Sequence, residues 1–177
     1  MTVKEIDVYE NDFRKLIGIY EEAFPEHERI SEDNIKELCT RGGRLYGAYF
    51  DDILVGIAII VMNDEIGYVY FLAVDREYRN RGIGGEFLRK LTESFGKRSI
   101  VLDFEELIES VPDIELRKRR KAFYLRNGMK ETGRYTLLDG GYRFEVVSST
   151  LPFNSEALLD VMKTIHGVVP KYPAAVE

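Results

Sequence analysis

This chain is short of cysteine, of net basic charge and of long apolar runs. Its 177 residues include one cysteine, Cys39. That excludes an internal disulfide, and no clustered histidines offer Cys/His metal spacing, so no metal site is expected. Lys and Arg total 25 against 31 Asp and Glu, for a net charge of −6 and an isoelectric point near 5.2. A general nucleic-acid binder carries a basic face, so the balance counts against that class and favours a cationic substrate. No segment approaches the roughly 20 apolar residues of a membrane span, and Met1 to Asp7 has no apolar signal core. A cytoplasmic location follows by default. Repeats and low-complexity stretches are also missing. With 45% hydrophobic and 32% charged residues, the composition fits one globular domain with a sizeable core.

What is there is organised around residues 68–95. Tyr68-Val-Tyr-Phe-Leu-Ala-Val74 is all aromatic, aliphatic or small, which suits a buried strand. Beyond Asp75 to Asn80, the residues Arg79, Gly82 and Gly84 spell Arg-x-x-Gly-x-Gly. Ile83, Phe87, Leu88, Leu91 and Phe95 then draw one stripe along a helix. Glycines at a strand-to-helix handover let backbone N–H groups converge without a Cβ in the way. At the positive end of a helix dipole those groups seat phosphate oxygens.

At these residues the chain resembles the GNAT superfamily of acyl-CoA-dependent N-acetyltransferases, whose signature is Arg or Gln-x-x-Gly-x-Gly or Ala after a hydrophobic strand; here it reads Arg79-Asn80-Arg81-Gly82-Ile83-Gly84 after Leu72-Ala73-Val74. A second stretch, Phe123-Tyr124-Leu125-Arg126-Asn127-Gly128-Met129, is similar to the family pattern Phe-Tyr-x-x-x-Gly-Phe, with Met129 for the last Phe. The resemblance runs from about Val3 to Val147, although its specific motifs occupy only Leu72 to Gly85 and Phe123 to Gly128. It implies acetyl-CoA as cosubstrate, held by Leu72, Ala73, Val74 and the run Arg79, Asn80, Arg81, Gly82, Ile83, Gly84 and Gly85. It also implies Tyr124 as general acid beside the thioester sulfur. The acceptor it implies is a small-molecule or peptide amine, with no nucleic acid or membrane partner and a homodimer left open. A non-catalytic CoA-binding or regulatory module on the same fold would carry the same motifs.

Taken in order, Val3, Ile6 and Val8 suggest a first strand. Asp12 can cap a helix bearing Phe13, Leu16, Ile17, Tyr20, Ala23 and Phe24, which Pro25 ends. Phe24 to Arg29 reads as a solvated turn. Ser31 caps a second helix with Ile35, Leu38 and Cys39, which stops at Gly42-Gly43. Leu45 to Phe50 and Ile53 to Met62 are strands joined by Asp51-Asp52, and Asn63-Asp64 turns into the central strand. These short connections make the first half of the sheet antiparallel. The strand Ile100 to Glu105 follows the central helix, so it lies parallel to the strand before it with a right-handed crossover. A helix from about Ile114 to Asn127 carries five consecutive basic residues, Arg117 to Lys121, best read as a solvated face, with contact to cofactor phosphate as the second reading. Lys130 to Leu138 and Tyr142 to Val147 flank Asp139-Gly140-Gly141, a hairpin signal. Asn154 or Ser155 caps a last helix closed by Gly167, and the tail with Pro170 and Pro173 carries no ordering pattern. The expectation is a mixed α/β sheet of about seven strands with helices on both faces. Residues 1–150 form the GNAT-like domain, with a C-terminal helix and tail over 151–177.

Transfer of acetyl to an amine also needs the amine neutral. An amine like that of Lys costs about 4 to 5 kcal/mol to deprotonate at pH 7. The central strand has no carboxylate, so Glu105 is the leading candidate base, with Glu106 beside it and Glu28 in the first helix junction. Arg117 stands where relatives often place an Asn that touches pantetheine. A dinucleotide fingerprint is a rival reading, because Asp103 lies 21 residues beyond Gly82. It fails, because Phe87 fills the third glycine position and six residues separate the strand from Arg81, where that fingerprint turns tightly.

Overall fold

The computed structural model describes residues 1–138, 142–170 and 175–177. The chain runs β1 (Thr2–Ile6), α1 (Asn11–Ala23), α2 (Glu32–Thr40), β2 (Gly43–Phe50), β3 (Ile53–Met62), β4 (Ile66–Val74), α3 (Ile83–Ser94), β5 (Ser99–Glu105), α4 (Ile114–Arg126), β6 (Lys130–Leu138), β7 (Tyr142–Ser148) and α5 (Ser155–Val168). The seven strands form one sheet in the order β1-β2-β3-β4-β5-β7-β6. Every neighbouring pair is antiparallel except β4 and β5, the pair joined through α3. The expected mixed sheet and its single parallel pair are therefore present. Asp51 and Asp52 both take positive φ, the geometry a two-residue hairpin turn between twisted strands requires.

Alternation along the strands sends apolar residues to two cores. Side chains of α1, α2 and α5, among them Leu16, Ile35, Leu38, Leu158 and Ile165, pack with Ile57, Ile59, Phe71 and Val101 on one face. On the other, Phe87, Leu88 and Leu91 of α3 pack with Ile60, Ile100, Leu102 and Phe104, and Phe123 and Tyr124 of α4 lie against them.

Several local expectations are corrected. Asp12 does not cap α1: Glu10 holds that position without a side-chain bond, while Asp12 accepts from Tyr49 Oη at 2.7 Å and Lys15 Nζ at 3.0 Å. That pairing outweighs the cap, and it holds the Asp12 carboxyl below the usual carboxylate range, through the Tyr49 hydrogen bond first. Gly167 lies inside α5, which continues to Val168. Residues 175–177 are paired: Val176 bridges Thr136, and Glu177 and Tyr135 exchange backbone bonds of 2.8 and 3.0 Å, because β6 offers an open edge. The hairpin turn expected at 139–141 lies outside the described residues. Ser31 and Asn154 do cap α2 and α5. Among the described residues no helix is long and apolar enough to cross a membrane.

The α1–α2 junction is pinned from inside. Tyr20 is 2% exposed, and its hydroxyl accepts the Ile30 N–H at 2.8 Å. Tyr20→Phe leaves that amide without its acceptor in a buried site, so unfolding in urea should show a loss of about 1–3 kcal/mol. A loss below about 0.3 kcal/mol would mean that water replaces the bond at no cost.

Candidate active site

The sheet opens where its parallel pair ends. β4 and β5 meet only at Ile66↔Ser99, Gly67↔Ile100 and Tyr68↔Val101. Beyond that point β4 keeps its pairing with β3 as far as Gly56↔Val74, and β5 keeps its pairing with β7 as far as Glu105↔Phe144. The two strands part, and the main chain from Val69 to Val74 turns an edge with no strand partner among the described residues into the opening. A bulge is the local cause. Ile59 and Ile60 pair with Phe71 and Val69, so Tyr70 is an extra residue in β4. It puts Tyr70 and Phe71 toward the same core, where their rings lie 4.4 Å apart, and the added twist turns β4 away from β5.

At the end of β4 the chain builds an anion seat. Asp75 Oδ1 accepts from Glu77 N–H at 2.8 Å and opens a 3-10 turn over Arg76–Tyr78. Arg79 Nε donates to the Val74 carbonyl at 2.9 Å, tying the loop to the strand. Asn80 and Gly82 take φ of 62° and 79°, and this left-handed pair swings the chain into α3. The first bond inside the helix runs from Glu86 N–H to Gly82 O at 3.1 Å. The N–H groups of Ile83, Gly84 and Gly85 therefore face outward with no acceptor in the helix. A Cβ on Gly85 would collide with the Asn127 side chain, so that glycine also serves the α3–α4 contact; at Gly84 the nearest atoms, of Phe123 and Val74, would lie 3.4 Å away.

Tyr124 stands on the α4 wall of the opening. Its ring stacks on Phe104 at 5.5 Å and meets Phe123 edge-on at 5.3 Å. Its hydroxyl makes no hydrogen bond to any described residue. Burial pushes its pKa up to about 12; the Asp103 and Glu105 carboxylates add to the rise, and the Arg120 guanidinium opposes it. The phenol is thus fully protonated at neutral pH and its donor is uncommitted.

The carboxylates sort differently from the expectation. Glu105 is ion-paired to Arg120, Glu106 lies 3.3 Å from Arg143, and exposed Glu28 lies 3.8 Å from His27 and acts electrostatically on Arg120. Arg117 does not reach into the opening: it holds Asp113 at 3.1 Å and the Glu106 carbonyl at 3.0 Å. A further carboxylate, Asp103, lies at the opening. It accepts from Tyr68 Oη at 2.8 Å and from the hydroxyl of buried Thr136. Its donors are neutral, no cation among the described residues pairs with it, and burial raises its pKa against the pull of those two bonds. Since Tyr68 is the last residue of β4 paired to β5, Asp103 sits at the root of the opening. The clue in the sequence was one acid inside the apolar run Ile100-Val101-Leu102-Asp103-Phe104.

Comparison with known proteins gives one consistent result. A sequence model described as the acetyltransferase (GNAT) family matches residues 13–129, about two thirds of the chain. Curated protein sequences gave no match. Among solved structures, a GNAT-family protein from Bacteroides thetaiotaomicron is 23% identical, with 98% of this chain and 100% of that one covered and a TM-score of 0.76. A GNAT acetyltransferase from Elizabethkingia anophelis, solved with acetyl-CoA bound, is 16% identical over 85% of this chain and 97% of its own, with a TM-score of 0.58. The ribosomal-protein-S18-alanine N-acetyltransferase of Escherichia coli is 17% identical over 86% and 95%, with a TM-score of 0.63. At these identities the likeness is one of fold.

The state of Asp103 has a stability signature. A carboxyl whose folded pKa is raised binds its proton more tightly when folded, so ionised Asp103 costs stability above its folded pKa, and the cost vanishes as pH falls to the unfolded value of about 4. Asp103→Asn should therefore raise Tm relative to the parent at pH 7, by an advantage that shrinks toward pH 4. An advantage that instead grows on acidification would show that the folded carboxyl titrates below its unfolded value.

Proposed function

The chain belongs to the GNAT family of acetyltransferases, and from that premise we propose that it moves acetyl from acetyl-CoA to a primary amine by direct attack on the thioester. The observation that carries the reading is the opening between β4 and β5, with an anion seat at the end of β4 and an uncommitted phenol on its wall. In this reading the pantetheine arm bonds the main chain of Leu72, Ala73 and Val74, and a backbone amide there polarises the thioester carbonyl. The pyrophosphate takes the N–H groups from Arg81 to Gly85, with Arg79 and Asn80 shaping the turn that presents them. Residues 1–150 form the catalytic unit, and α5 braces the core behind β4. The setting is a cytoplasmic enzyme, monomeric or homodimeric.

Tyr124 donates to the departing sulfur. With its pKa near 12 and a thiol such as Cys near 8.5, full proton transfer is uphill by roughly 5 kcal/mol. The hydrogen bond therefore stabilises the thiolate first, and protonation comes late. On the acceptor side the ammonium approaches from the face of α1 and α2, toward which Asp103 projects. Asp103 and Glu105 are the two candidates to relieve it of a proton. We propose Asp103 as the better base, because the guanidinium of Arg120 already holds the Glu105 charge.

Tyr124→Phe keeps the ring stack and removes the donor. Titration of acetyl-CoA by calorimetry should be unchanged within about twofold, while kcat with a verified acceptor falls by roughly 10²- to 10⁴-fold. Turnover within threefold of the parent, under conditions where chemistry limits the rate, would remove Tyr124 from the mechanism. Heat stabilisation by CoA with no turnover of any amine in a broad panel would mark a binding module instead.

The base is read from pH. An enzyme that binds the ammonium and deprotonates it has a flat kcat/KM through neutrality, whereas one that waits for free amine gains about tenfold per pH unit up to the amine pKa. Asp103→Asn should convert the flat profile into the rising one, while Glu105→Gln keeps it flat. The reverse pattern would make Glu105 the base, and two flat profiles would leave the proton to water.

A further inference from the structure

The five consecutive basic residues of α4 have divided fates. Arg117 is held by Asp113 at 3.1 Å, and Lys118 by Glu109 and Glu115 at 3.2 and 3.4 Å. Arg120 is paired to Glu105, and Lys121 reaches Glu131 at 2.5 Å and Glu145 at 2.6 Å. Arg119 has no acidic partner among the described residues, and neither does Arg126, the next basic residue along the helix. Counting along α4, Leu116, Arg119, Phe123 and Arg126 recur at steps of three, four and three, so they share one face. They line an open cavity of 390 Å³ together with Arg120 and Ala122. Its floor is apolar: Arg126 lies over the Phe123 ring at 5.4 Å, and Leu116 is 55% exposed. Phe123 also joins this cavity to the anion seat, because its Cζ would stand 3.4 Å from a Cβ on Gly84.

Two guanidiniums with no carboxylate partner among the described residues, in a chain of net charge −6, flank an aromatic floor beside a row of free helix N–H groups, and together they describe a place for a second phosphate carried on a nucleoside. Given acetyl-CoA as cosubstrate, we infer that the cavity of Leu116, Arg119, Phe123 and Arg126 takes the adenosine 3′-phosphate, so that Arg119 and Arg126 make the enzyme discriminate CoA from 3′-dephospho-CoA. The cofactor carries its two phosphate groups one ribose apart. The pyrophosphate on α3 brings the 3′-phosphate to the adjoining face of α4. The planar fork of each guanidinium fits phosphate oxygens, and Phe123 and Leu116 cover the neighbouring apolar surface of the nucleoside.

The test needs no acceptor. Isothermal titration of the intact chain with CoA and with 3′-dephospho-CoA should give a preference for CoA of roughly 10- to 100-fold in low salt, the scale of one or two charge-assisted hydrogen bonds. The preference should narrow as salt rises, because the site is open to solvent. Arg119→Gln and Arg126→Gln should each reduce it, and the double variant should bring the ratio within threefold of unity while 3′-dephospho-CoA affinity stays close to the parent's. Both substitutions are on the surface, and a Tm unchanged within about 2 °C confirms that folding is not the cause. Equal binding of the two nucleotides by the parent, or a preference that survives in the double variant, overturns the inference and leaves the acetyl-transfer reading standing. Failure of the parent to bind either nucleotide overturns both.

Discussion

Backbone N–H and C=O groups in a sheet are satisfied by the neighbouring strand, and separating two strands gives up those bonds along the whole length of the parting. In this protein the loss is confined to the stretch after Tyr68 and Val101. The neighbours on the far sides, β3 and β7, hold their partners to the ends of both strands. The sheet therefore stays continuous behind and below the opening while the opening itself offers main-chain donors and acceptors. Those groups are available to water or to an extended molecule carrying amides of its own. The bulge at Tyr70, the seat at α3 and the position of Tyr124 all take their geometry from this parting.

Around the opening, charge is arranged by pairing. Most cations of α4 are neutralised by nearby carboxylates, and Glu105 and Glu106 at the β5 end are neutralised by Arg120 and Arg143. Among the described residues Arg119 and Arg126 stay outside these ion pairs; so do two groups within electrostatic reach of one another, Asp103 with two hydroxyl donors and Tyr124 with an uncommitted hydroxyl. Environment pushes both toward their protonated forms, which makes the carboxylate a stronger base and keeps the phenol a donor. A surplus acidic chain can thus present anion-binding and cation-binding groups at one site, because the net charge is a sum over a surface that the site does not sample.

Much of this was legible in the chain itself. The glycine-bearing handover from Val74 to Ile83, the stripe of Phe87, Leu88 and Leu91, and the meander before them gave the element order and the single parallel pair, since each is a local signal. Tertiary pairings were not legible in the same way. Asp12 looks like a helix cap until Tyr49 is seen to reach it from a strand distant in sequence. Glu105 looks like a free carboxylate until Arg120, one strand-to-helix connection later, folds onto it. Asp103 looks like an irregularity in an apolar strand, and only the sheet order, which sets β7 between β5 and β6, brings Thr136 to one side of it and Tyr68 to the other. The basic run of α4 reads as one solvated face, and its division into paired and unpaired members depends on acids contributed by β5, β6, β7 and the loop before α4.

The claim on which the account rests is that acetyl-CoA occupies the opening between β4 and β5. Amide chemical-shift mapping on the ¹⁵N-labelled protein, titrated with acetyl-CoA, addresses it directly because the contacts are main-chain ones. The account predicts the largest shifts at Leu72, Val74 and residues 81–85, with Tyr124 and its neighbours moving and β1 and β2 still. Shifts concentrated elsewhere, for instance in the cavity between α1 and α2 lined by Ile17, Tyr20 and Ile35, with β4 and the start of α3 unperturbed, would contradict it.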